Sequence, residues 1–336
     1  MKYSLSLVSG ILVLGGNLMG GLFAWSGAFF ILVVMVILDW INSEHTRSPD
    51  PSEGSVIPET ILRLHVILHT LCIATLLVCI HNEALHGWAL AGAIVSTGLN
   101  AGASGIVSAH ELIHRNALGL RRLGIWNLLL VHYTHFYTEH IKSHHKYAGT
   151  ANDPATARRG ESFYAFLLRT VPSQFASAVR IDARGQSFKA NFVLQGLLMQ
   201  LLLDAVIFFT LGWQALAAFV AVSVIAIVLL EYVNYIEHYG LINPEARKFE
   251  VNMAWQTDRR TSRFTLLELS RHSDHHLKAS KPFYTLESHE ESPVIPGGYF
   301  GVFYIALVPF LWFRFMDHRL PDFTQKTLNE NKHAGI

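Results

Sequence analysis

Nine of the chain's nineteen histidines fall into four short clusters on the polar flanks of long apolar stretches. They are His110 and His114 in HELIH, His140, His144 and His145 in HIKSHH, His238 in NYIEHYG, and His272, His275 and His276 in HSDHH. Neutral imidazole is the commonest side-chain ligand for transition metals. In HELIH the two rings stand four residues apart, on one face of a helix. The second and fourth clusters each join a helically spaced partner to an adjacent pair, and such a pair can send one ring to each of two neighbouring metals. Nine nitrogens suit two metals with four or five ligands each and far exceed the needs of one tetrahedral zinc. HELIH also matches the zinc-protease string HExxH, with Glu111 in the place of the general base, but a metalloprotease would need one further ligand and leave the other clustered histidines unused. His65, His69, His81, His86, His289 and His318 read as single polar residues at membrane edges, while His132 and His135 lie on the approach to the second cluster.

The elements that carry these clusters are membrane helices. Apolar residues make up 51% of the 336, charged residues only 15%, and the mean hydropathy is +0.30. An ordinary soluble domain carries about 25% charge. Residues Ser4 to Leu38 hold no charge at all, enough for two short spans that turn near Gly15-Gly16 or Gly20-Gly21. A cleaved signal peptide fits this N-terminus poorly, because the apolar run far exceeds a signal core and has no small-residue cleavage site. Four more spans follow, Leu64 to Ile80, Leu85 to Ala109, Phe192 to Leu211 and Trp213 to Leu230.

Six spans place both chain ends on one side. Between Glu111 and Lys189 there are eleven Lys or Arg against five Asp or Glu, which makes that connection cytoplasmic by the positive-inside rule. Counting spans in both directions then puts all four clusters in the cytoplasm. The expected architecture is an all-α integral membrane protein of six transmembrane helices with a cytoplasmic histidine-rich helical cap. It forms one domain over residues 1–324, with a polar, mobile tail at 325–336 and a loop at 48–59.

Cys72 and Cys79 both lie inside an apolar span and read as packing residues. No Cys-x-x-Cys pair is present, so the chain carries no iron–sulfur or rubredoxin-like module, and electrons must come from another protein. A metal-binding transporter would line its spans with polar groups at mid-depth. Asp204 is the one acid inside an expected span. A metal pair beside an apolar cavity would meet lipid-soluble molecules that offer a Lewis acid little to polarise. Oxidising an inert carbon–hydrogen bond needs a redox metal and O2, which favours two irons over zinc.

HELIHR, the EH-x3-HH block followed by DPATAR and GES, NYIEHYGL and RHSDHH closely resemble the signature blocks of the membrane-bound alkane monooxygenase family, related to the membrane fatty-acid desaturases and hydroxylases. The resemblance implies a non-haem diiron site, activation of O2, and insertion of one oxygen atom at the terminal carbon of a hydrocarbon. It implies electrons from NAD(P)H through a reductase and a rubredoxin- or ferredoxin-type donor. Carried over, the ligands are the nine clustered histidines, with Glu111, Glu139, Asp153, Glu237 and Asp274 as carboxylates that would fix ring orientation and tautomer.

Two segments depart from the family pattern. KYAGTANDPATA has Asn152 where relatives carry an acidic residue, and LKASKPFYTL lacks a common arginine. Relatives include xylene methyl hydroxylases and fatty-acid decarboxylases that form terminal alkenes. A decarboxylase would want a cation near the irons, for which Arg115, Lys142, Lys146, Arg271 and Lys278 are candidates. Trp25 and Trp40 are candidate limits on the length of a bound chain.

Overall fold

The computed structural model describes residues 2–48, 54–183, 191–243, 246, 248–321 and 324. Every regular element among them is helical. The expected tail at 325–336 lies outside the described residues.

Five helical segments are long and apolar enough to cross a bilayer: α2 (Gly21–Ile41), α3 (Val56–His81), α4 (Gly87–Ile113), α8 (Phe192–Leu211) and α9 (Trp213–His238). In hydrocarbon no water completes backbone hydrogen bonds, so an apolar run of this length closes them internally as a helix. Their outward residues, among them Phe29, Ile67, Leu202, Phe209 and Val224, are exposed apolar side chains suited to lipid. The apolar run before them forms a 3-10 turn (Lys2–Leu7) and the shorter α1 (Val8–Met19). The break to α2 falls at Gly20 and Gly21, whose φ values of +64° and +54° only glycine adopts freely, while Gly15 and Gly16 stay helical.

The expected boundaries shift for identifiable reasons. α3 begins at Val56, inside the stretch read as a loop, because Pro58 is tolerated in a first helical turn and Glu59 there accepts from Arg115 at 2.8 Å. Positions 49–53 of that stretch are outside the described residues. α9 does not stop at Leu230 but carries Glu231, Asn234, Glu237 and His238 in unbroken helix. α4 has a π-helical turn at Ala101–Ile106 built from small residues. A Cβ on Gly102 would come within 2.9 Å of Leu229, so α4 and α9 pack backbone against side chain.

His65 and His69, expected at a membrane edge, are buried inside the bundle. His65 is held between Ser6 (2.8 Å) and Ser104 (2.6 Å), hydroxyls of the neighbouring helices. Polar groups from the N-terminal run therefore meet inside the bundle, an arrangement that hydropathy alone does not reveal. Both cysteines are free, and the Cys72 thiol donates to the Gly10 carbonyl.

The connection after α4, expected to be cytoplasmic, packs in part alongside the spanning helices. α5 (Leu118–Leu129) runs back along the bundle, where Trp126 donates to Thr70 at 3.0 Å and Asn127 to the Gly105 carbonyl at 3.1 Å. The chain turns at His132, φ +54°, and returns as the helical stretch α6 at 136–147. At the tip the His132 ring bridges Ser223 (2.7 Å) and Asp204 (2.8 Å). Ser223 lies fifteen residues before His238 on α9, so the tip reaches roughly 20 Å below the level of that histidine. This re-entrant hairpin explains the acid at Asp204. A His132→Leu chain should lose about 2 kcal/mol by stranding the Asp204 carboxylate. Its thermal denaturation in detergent micelles reads this out, and an unchanged midpoint would mean the pair does not pin the tip.

Beyond the hairpin lie α7 (Phe163–Ala183) and, after α9, short helices: α10 (Arg260–Thr265), α11 (His272–Leu277), α12 (Gly298–Gly301), α13 (Phe303–Ala306) and α14 (Pro309–Met316). They pack through Tyr232, Tyr235, Tyr239, Trp255, Trp312 and Met316 against the histidine end of α9. Asp39, at the end of α2, is wholly buried and accepts from the Ser262 and Phe300 backbone N–H groups at 3.0 and 2.9 Å. That anchor ties α10 and α12 to the bundle.

Candidate metal centre

α4 and α9 end beside one another, so His110, His114 and His238 arrive at the same end of the bundle. The re-entrant hairpin delivers His140, His144 and His145 to it, and α11 packs across it with His272, His275 and His276. All nine expected histidines come together, in two groups. His110, His114, His140, His145 and His275 form one and His144, His238, His272 and His276 the other, with the nitrogens of each group within 4.8 Å of one another.

Both adjacent pairs are divided. His145 and His275 belong to the first group, His144 and His276 to the second. On α11 ordinary helical spacing sets His272 and His276 side by side, Nε2 to Nε2 at 2.9 Å. On α6 it does not, because His140–His144 is a π-helical turn. The wider turn brings residues five apart onto one face, so His140 Nε2 lies 3.1 Å from His145 Nε2 while His144 swings to the other group.

The nitrogens are poised for cations. The Nε2 atoms of His114, His140 and His145 form a triangle with edges of 3.0, 3.2 and 3.1 Å. Each neutral ring nitrogen there is either an N–H or a lone pair, so at least two of the three are alike and one edge must set like against like. A cation among them converts three opposed lone pairs into ligands. Metal–nitrogen bonds of about 2.1 Å at right angles span ~3.0 Å, close to those edges. The Nε2 atoms of His110 and His144 are buried without a hydrogen-bond partner, as an absent ligand would leave them.

Groups behind the rings set their orientation. The Asp153 carboxylate lies 3.0 Å from His144 Nδ1 and the Met253 carbonyl 3.2 Å from His238 Nδ1, whereas Glu237, 3.4 Å from His272 Nδ1, makes no hydrogen bond to it. An Nδ1–H directed backwards leaves the Nε2 lone pair facing the group. Burial, reinforced by neighbouring rings, holds the His140, His145, His272, His275 and His276 pKa values well below the ordinary imidazole value, and His114 goes down to about 3. Burial also pushes His144 down, but the Asp153 carboxylate outweighs it and the net shift is upward.

The remaining carboxylates divide by what they touch. Glu139 is buried with neither oxygen hydrogen-bonded, and burial, with Asp153 nearby, raises it to about 8. Glu111 faces Arg115 at 2.7 Å and accepts from the Phe283 N–H, so it staples the 283 segment rather than serving as a free base. Asp274 holds Lys281 at 2.7 Å and His289 at 2.9 Å. His289, expected as an isolated edge residue, is thus part of that clamp.

A narrow cavity of about 50 Å³ lies beneath the histidines. Its walls are apolar, including Ile31, Leu32, Val36, Ile106, Leu229 and Phe303, and its upper end is His110, His140, His272, Asn234 and Glu237. Neither expected limiting tryptophan lines it. Trp25 stacks on Trp88, and Trp40 packs against Gly297 and donates to Gly301.

One buried carboxylate was missed because it falls just past Leu230, where the span was expected to end, while the helix continues. Glu231 accepts from Tyr133 (2.9 Å), Gln174 (2.9 Å) and Asn234 (3.0 Å), joining the hairpin, α7 and the cavity wall. An acid two turns before His238 on the same apolar helix was the available signal.

Comparison with known proteins gives this arrangement a family. The fatty acid desaturase pattern matches residues 85–306. Alkane 1-monooxygenase 1 of Pseudomonas aeruginosa is 33% identical over 88% of this chain and 83% of its own. Alkane 1-monooxygenase 2 of Alcanivorax borkumensis is 30% identical over 91% and 85%. The hydroxylase component of a xylene/toluene monooxygenase of Pseudomonas putida is 29% identical over 73% and 71%. The four histidine-bearing blocks, the multi-pass helical bundle and these similarities together make the chain a monooxygenase of the fatty acid desaturase family, in its alkane 1-monooxygenase branch.

Proposed function

We propose that the protein hydroxylates the terminal carbon of an n-alkyl chain drawn from the membrane, using two irons held by the nine histidines. The observation that carries this reading is the apolar cavity that ends on His110, His140 and His272, rings drawn from both histidine groups. Bound there, two irons would supply the activation of O2 and the transfer of one oxygen atom. The balance is R–CH3 + O2 + 2 electrons + 2 protons giving R–CH2OH and water.

The protein's own residues do the rest. Aliphatic and aromatic walls bind the chain and exclude water, so its end is presented to the histidine wall and not to solvent. Asp153 and the Met253 carbonyl hold the His144 and His238 rings in register. Glu139 is a carboxyl held near the centre without another partner, while Glu111 and Asp274 keep the covering segments closed. The electrons enter from a separate rubredoxin- or ferredoxin-type carrier, ultimately from NAD(P)H. Counting α1 as the sixth span, with the positive connection inside, puts both termini and the site on the cytoplasmic face of an inner membrane.

Decarboxylation of a fatty acid is disfavoured by the same cavity. Its described lining contains no Lys or Arg and does contain Glu237. Three of the five candidate cations are engaged elsewhere, Arg115 with Glu59 and Glu111, Lys142 with Asp182, and Arg271 with Asp258, and none of the five lines the cavity. Membranes holding the protein, supplied with rubredoxin, its reductase and NADH, should convert a medium-chain n-alkane to the primary alcohol. Given a medium-chain fatty acid, they should form no terminal alkene one carbon shorter. The reverse pattern would overturn the assignment.

A further inference from the structure

The cavity has one wall that is built differently from the others. α2 contributes Ile31, Leu32 and Val36, and α12 and α13 contribute Tyr299, Phe300 and Phe303. These two elements meet along a seam with unlike ends. At the histidine end Asp39 accepts from the Phe300 N–H at 2.9 Å, and Trp40 Nε1–H donates to the Gly301 carbonyl at 2.8 Å. Asp39 is fully buried, and Gly297 and Gly298 beside it have φ values of +86° and +77° with no room for a Cβ against Trp40 and Asp39. That end is fixed.

At the other end the seam is closed by a single described hydrogen bond, from the Tyr304 hydroxyl to the Leu32 carbonyl at 2.9 Å. Leu32 lies in the π-helical turn Phe30–Val34. Tyr304 is 49% exposed, and Phe29 and Val33 on α2 and Val308 and Leu311 beyond α13 are exposed and apolar. α12 and α13 are each only four residues long and are broken at Val302, so they lack the stiffness of a spanning helix.

We propose that this seam is the port through which the substrate chain enters sideways from the lipid, with Tyr304 as its latch. The proposal rests on the reading of the cavity as an alkyl-chain site. A chain dissolved in the bilayer meets the exposed apolar rim, and displacement of one hydroxyl from one carbonyl opens the wall while Asp39 and Trp40 keep the other end in place. The latch bond is broken whether a chain enters or leaves, so losing it should speed both directions and leave the equilibrium almost unchanged.

The test uses the full-length protein in lipid nanodiscs and a pyrene-labelled n-alkane, whose binding and release are followed by stopped-flow fluorescence without turnover. Tyr304→Phe keeps the ring and removes only the hydroxyl. Loss of one exposed hydrogen bond should raise the association and dissociation rates together by about fivefold, with Kd changed less than about twofold. Ile106→Ala, which alters the cavity wall on α4, should instead weaken Kd. If Tyr304→Phe leaves both rates at their wild-type values, or shifts Kd alone, the latch is overturned while the alkyl-site reading stands. If the wild-type protein takes up no probe, the alkyl-site reading falls and the port with it.

Discussion

A chain carrying His145→Ala should be isolated with about one iron instead of about two, and His144→Ala should do the same by emptying the other position. These residues are neighbours in sequence, but their rings belong to different groups. Removing His145 takes one corner from the triangle with His114 and His140 and leaves His144, His238, His272 and His276 intact. Removing His144 leaves the five-histidine group intact and takes away the ring that the Asp153 carboxylate faces. His275→Ala and His276→Ala should reproduce the division from α11. Elemental analysis of the purified proteins, with a melting curve to show that each is folded, reads out the occupancy. Each single variant should lose hydroxylation by more than about a hundredfold, since the reaction draws on both groups. A variant that kept both irons and wild-type activity would remove that histidine from the ligand set.

That division shows what the sequence could and could not say. The four clusters, their convergence on one site and a capacity of four or five nitrogens per metal were legible, because residue type and chain direction decide them. Which ring joins which group was not. Four-residue spacing pairs His140 with His144, and the structure pairs His140 with His145 through a π-helical turn that has no sequence periodicity of its own. The re-entrant hairpin escaped for a related reason. Arg121, Arg122, Lys142 and Lys146 flank it and give the whole connection a cytoplasmic charge, while the segment that dips, WNLLLVHYTHF, is too short to register as a span. His65 and His69 were misplaced because burial of a polar ring depends on its neighbours, here Ser6 and Ser104 for His65, far away in sequence.

Glu231→Leu should destabilise the protein by about 4 kcal/mol, and Glu231→Gln by about 2. Both carboxylate oxygens are occupied: Tyr133 donates to Oε1, Asn234 to Oε2, and Gln174 to both. Leucine leaves the Tyr133, Asn234 and Thr170 donors and one Gln174 N–H without their acceptor in a site from which water is excluded. Glutamine restores one acceptor but sets its own NH2 against a donor, so it recovers only part of the loss. The midpoint of thermal denaturation should fall by roughly 5–10 °C for the leucine variant. A second consequence separates this hub from a merely structural contact. Tyr133 belongs to the hairpin that carries His140, and Asn234 lines the cavity, so loosening them should raise KM for a long alkyl chain more than it lowers iron content. A leucine variant with an unchanged midpoint and unchanged KM would show that the carboxylate is dispensable. Glu231 is one carboxylate on an otherwise apolar helix, and it ties together three elements far apart in the sequence beneath the histidines.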